Sequence, residues 1–317
     1  MKFLITGGAG FVGTHVAIRL KNLGHTPILV DFENQYTNFH LKSFKTYGLD
    51  ISNRKDLFSI KENIDFIIHC AALSGVTVSN LNPDNCIDWN IKGTLNVCEF
   101  AKKKKCSKVI YTSTMAVYGE GDNIKEKDTL NPVSIYAISK LTGEILCTAL
   151  LPLHGIDYTI FRLFNTYGPG QDIKDFKQGI VSIFLGQSIC SKNIQVTGSL
   201  ERYRDLIYID DVVAAIEMSL FSDKLKNDCY NVCNSKKIMI KDLIETILDI
   251  HDDPRDDFVV ENIGSHEGDQ SGVYGNNLLL KSKGWSPKVN LREGIERFYN
   301  HSKNIKSREE AWQKLVN

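Results

Sequence analysis

The sequence lacks an excess of charge of either sign. Its 317 residues include 38 basic and 38 acidic side chains, so the formal net charge is zero. Proteins that bind nucleic acid in bulk place a surplus of Lys and Arg against the phosphates. The charge balance therefore argues against a nucleic-acid partner, and the single basic run, residues 102–105, is interpreted as the solvated end of a helix.

Long apolar runs are also missing. No segment reaches the ~18 consecutive apolar residues that a membrane-spanning helix needs, so no membrane association is expected. The chain opens with MKFLITGG, in which a strand starts almost at the first residue. This opening leaves no room for a signal peptide, and a cytoplasmic protein is expected.

Cysteine clusters with zinc spacing are absent. The eight cysteines are scattered through apolar stretches, and no His partners stand at the spacing of a zinc site. Cys229 and Cys233 are close in sequence, but the segment CYNVC alternates as a strand does. Reduced, structural thiols and no metal site are therefore expected.

What is present is an ordinary globular composition, with 42% hydrophobic and 24% charged residues. Apolar runs at 2–6, 27–30, 66–72, 108–114 and 158–165 alternate with helical stretches. Strand and helix in this order predict right-handed βαβ units and an α/β fold with a doubly wound parallel sheet.

The alternation breaks after Asn165, where residues 166–179 are rich in glycine and polar side chains and predict a loop. Shorter elements follow, and they predict a smaller, interrupted C-terminal domain that binds the substrate. We expect residues 1–165, with about 205–234, to form the first domain. Residues 166–204 and 235–317 would form the second.

The first strand runs into a glycine motif that opens the first helix. Gly7, Gly10 and Gly13 belong to the string GGAGFVG, which also contains Phe11 and Val12. Glycines here let the chain turn tightly and let backbone N–H groups approach a pyrophosphate at the helix N-terminus. A glycine turn without any ligand is the simpler alternative.

Asp31 ends the second strand, at the position where a carboxylate accepts the hydroxyls of an adenosine ribose. A carboxylate there repels a 2′-phosphate, so NAD is favoured over NADP. By position, Asp50 and Ile51 are expected near the adenine. Ala71 and Ala72 are expected to pass small side chains over the cofactor.

Tyr136 and Lys140 are four residues apart at the start of a predicted helix, so both side chains project from one face. A tyrosine with an ordinary pKa near ~10 is a poor base at neutral pH, and a neighbouring ammonium, together with the positive nicotinamide ring, is expected to lower that pKa. The pair has little meaning alone, because this spacing also arises by chance. The segment 111–119, which ends a strand on the same edge, offers hydroxyl groups beside it.

Together these motifs resemble one family. GGAGFVG, HCAAL, WNIKGT, STMAVYG, YAISK, FNTYGPGQ and RDLIYIDDVV occur in this order along nearly the whole chain. The chain is similar to extended short-chain dehydrogenase/reductases of the NAD-dependent epimerase/dehydratase group. The resemblance implies a Rossmann domain, bound NAD and a nucleotide-diphosphate sugar, with a UDP-sugar favoured.

The resemblance also implies roles for single residues. Tyr136 would be the general base and acid, Lys140 would orient the cofactor ribose, and Thr114 would contact the reacting sugar oxygen. Asn90 would support the cofactor pocket. Asn165 and Arg204 would contact the substrate, the latter at its diphosphate.

Two departures from the family pattern bear on the reaction. Relatives that dehydrate the sugar carry an Asp-Glu pair directly after the threonine, and decarboxylating relatives carry a glutamate at the second position. This chain has Met115 and Ala116 there, which disfavours elimination and decarboxylation. His266 stands where most relatives have an arginine on the second phosphate, so the diphosphate would be held differently.

The expected function is therefore inversion of a UDP-hexose at C4 through a transient 4-keto sugar, with NAD retained. A dehydrogenase or reductase with net cofactor turnover is the first alternative, and a non-catalytic NAD-binding scaffold is the second. The resemblance further implies a homodimer formed through the helices near 85–104 and 135–153. Their apolar positions Ile138, Leu141, Ile145 and Ala149 can equally be intramolecular core.

Overall fold

The computed structural model describes residues 1–32, 43–175, 179–264 and 272–304. The strands in chain order are β1 (Lys2–Thr6), β2 (Thr26–Asp31), β3 (Lys45–Gly48), β4 (Phe66–His69), β5 (Lys108–Thr114), β6 (Gly121–Ile124), β7 (Asp157–Leu163), β8 (Asn165–Tyr167), β9 (Asn193–Val196), β10 (Tyr203–Arg204), β11 (Leu206–Tyr208), β12 (Asp228–Val232), β13 (Ile238–Met239), β14 (Val259–Asn262) and β15 (Gly272–Gly275).

The α-helices are α1 (Phe11–Asn22), α2 (Arg54–Phe58), α3 (Val76–Leu81), α4 (Pro83–Cys86), α5 (Gly93–Lys104), α6 (Ile135–Leu150), α7 (Ile180–Ser191), α8 (Ile209–Phe221), α9 (Ile240–Ile250), α10 (Leu278–Ser282) and α11 (Leu291–Ser302). A π-helical segment, Ile87–Lys92, lies between α4 and α5. A 3₁₀ turn, Met115–Tyr118, follows β5 directly.

Seven parallel strands form the main sheet in the order β3-β2-β1-β4-β5-β7-β12. The chain builds outward in one direction from β1 through β2 and β3, then returns to the other side of β1 with β4. This reversal opens a crevice at the carboxyl ends of β1 and β4, where open α/β sheets bind ligands.

The two faces of the sheet bury separate sets of apolar side chains. Phe3 and Ile5 of β1 join one buried cluster, whereas Leu4 between them joins the other. This alternation of faces along a strand whose apolar residues are all buried means that helices cover both sides. The doubly wound α/β fold predicted from the sequence is confirmed.

One predicted helix is less regular than expected. The stretch near 85–104 consists of α4, the π-helical segment and α5, and all three follow without a break. Within it, Gly93 faces Ile51, and a Cβ at this glycine would lie 2.8 Å from the Ile51 Cδ1 atom. A single π-helical turn inside a helix commonly marks a functional site.

The prediction of a loop over residues 166–179 was wrong for its first two residues. Residues Asn165–Tyr167 form β8, which pairs in parallel with β11. Three residues are too few for a periodic pattern, so sequence reasoning had no signal for this strand. The later part of the segment remains without regular structure as far as Asp175.

The C-terminal half adds three small sheets. Their orders are β13-β10-β15-β6, β11-β8 and β14-β9. By contrast β12 returns to the edge of the main sheet beside β7, and α8 packs against α1. The interrupted domain division that the sequence suggested stays a prediction.

Among the described residues, one stretch, Ile135–His154, is long and apolar enough to cross a membrane by length and composition. It comprises α6 and the turn that follows. A buried helix of a soluble protein passes the same test, so this is weak evidence for a membrane span. Lys140 and Glu144 interrupt the run, and both are buried against the sheet.

All eight cysteines lie in the described residues and carry free thiols. Five are buried, Cys70 and Cys229 are half-buried, and only Cys190 is exposed. Burial raises the pKa of Cys70 to about 12, so this thiol stays protonated at neutral pH. Such protonated thiols are unreactive, in keeping with the structural role that the sequence suggested.

Candidate active site

A cleft of about 570 Å³ opens at the carboxyl edge of the main sheet, where the strand order reverses. Twelve of the residues singled out from the sequence line it. They are Gly7, Gly10, Phe11, Val12, Gly13, Asp31, Ile51, Ala71, Ala72, Thr114, Tyr136 and Lys140. The cleft therefore joins the glycine motif at one end to the tyrosine and lysine at the other.

The glycine motif forms a tight corner between β1 and α1. Gly7 has a φ of +69°, and a Cβ on it would lie 2.6 Å from the Ala71 backbone nitrogen. A Cβ on Gly13 would collide with the Gly7 carbonyl. Only glycine permits this approach of the helix to the strands.

The N-terminus of α1 is open to an anion. Its N-cap residue, Gly10, supplies no side-chain hydrogen bond, and the first turn contains no acidic residue. The helix dipole and the backbone N–H groups at this end therefore favour a negative group. These residues fit the pyrophosphate of a dinucleotide.

Asp31 lies beside this corner. Its carboxylate accepts the backbone N–H of Ala9 at 3.0 Å and that of Phe32 at 2.9 Å. Both bonds fix the side chain at the rim of the cleft, next to the glycine corner. A ribose that follows the pyrophosphate meets a carboxylate at this point, which fits NAD.

At the other end of the cleft, two hydroxyl groups meet. Tyr136 is in the first turn of α6, whose N-cap Ser134 accepts the N–H of Ala137 at 3.1 Å. Thr114 is the last residue of β5, and its side chain lies close enough to the Tyr136 hydroxyl to oppose the rise in the tyrosine pKa. A substrate oxygen placed at this point contacts both hydroxyls.

Lys140 lies one turn further along α6 and is buried. Its ammonium nitrogen is 4.2 Å from the centre of the Tyr111 ring. The Tyr111 hydroxyl donates to the Lys140 carbonyl at 3.3 Å, in space left by Gly143, where a Cβ would collide with that hydroxyl. The ring thus holds the ammonium by a cation–π contact.

The pKa values of Tyr136 and Lys140 are both shifted by burial. Burial raises the pKa of Tyr136 to about 12, and the neighbouring Thr114 side chain opposes this rise. Burial also lowers the pKa of Lys140 to about 8. The expectation that the ammonium and the nicotinamide ring together lower the tyrosine pKa concerns the site with NAD bound, and it stays a prediction.

Asn90 is within the π-helical segment and ties two sides of the cleft together. Its Oδ1 accepts the N–H of Leu73 at 2.7 Å, and its Nδ2 donates to the Ser139 hydroxyl at 2.9 Å. Ser139 in turn donates to the Tyr136 carbonyl at 2.8 Å. Asn90 supports the wall of the cleft and the first turn of α6, and it is not part of the lining.

Three further predicted residues are also outside the lining of the cleft. Asp50 accepts the N–H of Ser52 at 2.7 Å in the turn after β3. Asn165 donates to the Asp205 carbonyl at 3.0 Å, although both its chain neighbours line the cleft. Arg204, in β10, donates to the carbonyl of Tyr203 at 2.8 Å.

The residues after Thr114 carry no carboxylate. Met115 and Ala116 open the 3₁₀ turn, and the Ala116 N–H donates to the Thr114 side-chain oxygen at 3.2 Å. Neither side chain can transfer a proton, so the cleft has no acid or base at this position. His266 lies outside the described residues.

Sequence reasoning missed a buried ion pair behind the tyrosine and lysine. Glu144 of α6 binds Arg162 of β7 through two oxygens, with Nη2–Oε2 at 2.6 Å and Nε–Oε1 at 2.9 Å. Ser113, next to Thr114, also donates to Glu144. Glu144 follows Lys140 by one turn, so the spacing places Glu144 on the same helical face but does not indicate its partner Arg162.

Sequence reasoning also missed two aromatic side chains that line the cleft. Phe32 follows Asp31, and Trp89 precedes Asn90; both line the cleft. Their ring centres are 4.8 Å apart, with an angle of 60° between the planes. They come from different parts of the chain, so no local motif connects them.

Comparison with known proteins identifies the family of the chain. The model of the NAD dependent epimerase/dehydratase family matches residues 3–233. UDP-glucuronate 4-epimerase of Thermodesulfobacterium geofontis is 30% identical over 320 residues, covering 95% of this chain and 96% of the relative. The structure of Thermus thermophilus UDP-glucose 4-epimerase in complex with NAD superposes with a TM-score of 0.85 at 26% identity, over 96% of this chain and 99% of that one.

Other matches catalyse a different reaction. dTDP-D-glucose 4,6-dehydratase of Dictyostelium discoideum is 32% identical over 274 residues, covering 78% of this chain and 62% of that protein. Overall similarity therefore does not distinguish the reactions.

Proposed function

The chain belongs to the NAD dependent epimerase/dehydratase family, and from this we propose that it is a nucleotide-sugar 4-epimerase. Its cofactor is NAD, and its substrate is a UDP-hexose. The reaction inverts the configuration at C4 through a transient 4-keto sugar. The same NAD serves both halves of the reaction and stays bound.

One observation carries the proposal. The hydroxyls of Thr114 and Tyr136 both line the cleft, while the two residues after Thr114, Met115 and Ala116, have no group that can move a proton. Loss of water from the sugar needs a further acid and base near the neighbouring carbons. The site has proton-transfer groups for a single hydroxyl, which is what inversion through a ketone requires.

Each residue has a definite task in this reaction. Bound NAD supplies reversible hydride exchange at the sugar carbon. Tyr136 accepts the proton of the 4-hydroxyl and later returns it, and Thr114 holds the same oxygen by a hydrogen bond. Lys140, fixed over Tyr111, would orient the cofactor ribose and favour the phenolate of Tyr136 by its positive charge.

The remaining contacts follow from position. Gly7, Gly10 and Gly13 would hold the pyrophosphate, and Asp31 the adenosine ribose. Ile51, Ala71 and Ala72 would pack against the cofactor, with Asp50 and Asn90 supporting them. Asn165 and Arg204 would contact the substrate as its binding rearranges their present hydrogen bonds.

We also propose that the protein is a cytoplasmic homodimer. Helices α5 and α6 pack side by side, and Leu95, Ile138 and Ile145 on them are exposed. Exposed apolar side chains grouped on two adjacent helices are typical of an interface. A second copy would bury this face by forming a four-helix contact.

Replacement of the tyrosine tests the catalytic role. We expect Tyr136→Phe to retain bound NAD and to lose turnover by at least about 100-fold, the range for a general acid–base group. Turnover is followed by proton NMR of the sugar, and bound NAD by chromatography after denaturation.

Tyr158→Phe is the matched control, since it removes a phenolic hydroxyl near the opposite end of β7. It should leave both quantities unchanged. Near-normal turnover in Tyr136→Phe would remove this residue from the mechanism.

A further inference from the structure

Asp205 carries a buried carboxylate at a junction between small sheets. Its side chain is 0% exposed. It is the single residue between β10 and β11, which belong to two different sheets. A buried carboxylate is costly unless hydrogen bonds compensate for the loss of water, so its partners show which parts of the chain it holds together.

Backbone N–H groups from two other strand ends supply these hydrogen bonds. Oδ1 accepts the N–H of Asn234 at 2.8 Å, and Oδ2 accepts the N–H groups of Ser235 at 3.0 Å and Gly275 at 3.1 Å. Asn234 and Ser235 follow β12 at the edge of the main sheet, and Gly275 ends β15. Successive N–H groups in a turn form a concavity that binds an anion. Here the anion is a side chain of the same protein.

The backbone of Asp205 adjoins the wall of the cleft. Its carbonyl accepts the Asn165 Nδ2 at 3.0 Å, and both chain neighbours of Asn165 line the cleft. The strand that begins at the next residue, β11, pairs in parallel with β8. Arg204 directly precedes Asp205 in the chain. Asp205 is therefore next to both residues that are proposed to contact the substrate.

From these contacts we propose that the Asp205 side chain is a positioning residue for the substrate. It fixes the backbone at the junction, so that the Arg204 side chain reaches the diphosphate and the Asn165 side chain reaches the substrate from fixed positions. The inference rests on the proposed function and adds the residue that holds these two contacts in place. The proton-transfer groups belong to β5 and α6, so the carboxylate acts on binding and not on the chemical step.

Binding of UDP to the NAD-loaded protein tests this role. Asp205→Asn sets an amide NH₂ group against backbone N–H groups, which cannot bond to it. We expect UDP to bind at least about 10-fold more weakly, the scale of one hydrogen bond to a charged group. The KM for the UDP-hexose should rise by the same factor, while kcat changes by less than about 3-fold. Calorimetry measures the binding, and proton NMR of the sugar measures the rates.

Asp211→Asn is the matched control. Asp211 of α8 is also buried, and its carboxylate accepts the N–H of Lys288 at 2.8 Å and that of Val289 at 3.1 Å. None of these three residues lines the cleft. Both Asp→Asn variants should unfold at lower urea concentrations than the wild type, whereas only Asp205→Asn should bind UDP more weakly.

A double-mutant cycle shows whether the carboxylate acts through its neighbour. Arg204→Gln removes the charge that is expected at the diphosphate. In that background, Asp205→Asn should weaken UDP binding by less than about 3-fold, because the contact that it positions is already lost. A loss as large as that in the wild-type background would contradict the positioning role.

Hydrogen exchange of the wild type gives a measurement that needs no variant. Bound UDP should slow exchange of the amide protons at Asn234, Ser235 and Gly275 by at least about 3-fold, because the substrate contacts and these hydrogen bonds then stabilise the same backbone. The amide protons at Lys288 and Val289 should change less. Unchanged exchange at all three positions while UDP is bound would refute the role, even if Asp205→Asn does not fold.

The outcomes separate this inference from the proposed function. If Asp205→Asn retains NAD and binds UDP as tightly as the wild type, the positioning role is refuted and the proposed function stands. Equal weakening by Asp211→Asn would refute it too, since any loosening of the fold would then have the same effect. If the wild type binds no UDP and converts no UDP-hexose, the proposed function fails, and this inference fails with it.

Discussion

Burial decides the protonation states of Tyr136 and Lys140. It raises the pKa of the phenol to about 12 and lowers the pKa of the ammonium to about 8. Without cofactor, the tyrosine is therefore a neutral phenol at neutral pH and the lysine a cation, and the positive nicotinamide ring of bound NAD would favour the phenolate that accepts the proton. Thr114 opposes the rise for Tyr136, because a hydroxyl donor beside the phenol favours the phenolate.

The lowered pKa of Lys140 predicts the pH dependence of the reaction. The folded-state pKa lies below the ordinary value for lysine, so the side chain is charged below pH about 8 and neutral above it. We expect the turnover rate to fall as the pH rises through 8, because the positive charge beside Tyr136 is lost. The rate is measured from pH 6 to 10, with circular dichroism at each pH as a check on folding.

Lys140→Met provides the control, since it has no charge at any pH. Its residual rate should show no decline near pH 8. A wild-type rate that stays constant or increases up to pH 9.5 would show that the charge of Lys140 does not matter.

At the residue scale, the sequence predicted that Tyr136 and Lys140 lie on one helical face, but not how burial shifts their pKa values. Tyr136 and Lys140 share a helical face whatever surrounds them, so spacing alone placed them together. Their pKa values depend on which strands cover them, such as β5 with Tyr111. No local pattern records such tertiary contacts.

Helix α6 is the element on which the site depends. Besides Tyr136 and Lys140 it carries Glu144, whose ion pair with Arg162 fixes the helix to β7. Both side chains are only 6% exposed. Arg162 also donates to the Tyr118 hydroxyl at 2.7 Å and so reaches the turn that follows Thr114.

Removing one partner of the Glu144–Arg162 ion pair should destabilise the protein more than replacing both partners. We expect Glu144→Met or Arg162→Met alone to lower the free energy of unfolding by about 3–5 kcal/mol, since each leaves an unpaired buried charge. The double variant should lose less than the sum of the two. Urea unfolding of all four proteins, compared as a double-mutant cycle, measures this difference.

Additive losses in that cycle would mean that the two side chains act independently.

This pair is separated by 18 positions in the sequence, and it could not be identified from the sequence without knowing that α6 lies over β7. The strands themselves were predictable, because buried parallel strands are continuous apolar runs. The three-residue β8 and the π-helical segment have no such pattern.

At the scale of the whole molecule, the exposed apolar face of α5 and α6 predicts association. Ile138 is 50% exposed and Ile145 57% exposed, and both would be buried in the proposed homodimer. We expect Ile138→Glu to produce a monomer, because a charge would be desolvated at the interface. Light scattering after size exclusion gives the mass directly.

Leu153→Glu, at an exposed position just beyond α6, is the control and should leave the mass of the wild type unchanged. A wild-type protein that is monomeric at micromolar concentration would contradict the dimer.

The overall architecture was also accessible from the sequence, since strand and helix alternate and the glycine motif marks the first crossover. Only some of the residues that line the cleft could be predicted from the sequence. Motifs such as YAISK report residues close in sequence, whereas the pairing of Phe32 with Trp89 joins β2 to a segment beyond β4. Such contacts follow from the order of strands in the sheet.

The most direct test of nucleotide-sugar epimerisation uses the purified protein without added cofactor. UDP-, GDP-, CDP- and dTDP-sugars are incubated with it in turn, and proton NMR follows the configuration of the sugar. We predict that a UDP-hexose is converted to its C4 epimer, which shows that the bound NAD is regenerated. No epimer from any sugar, together with a keto product once NAD⁺ is supplied, would contradict this function and identify a dehydrogenase.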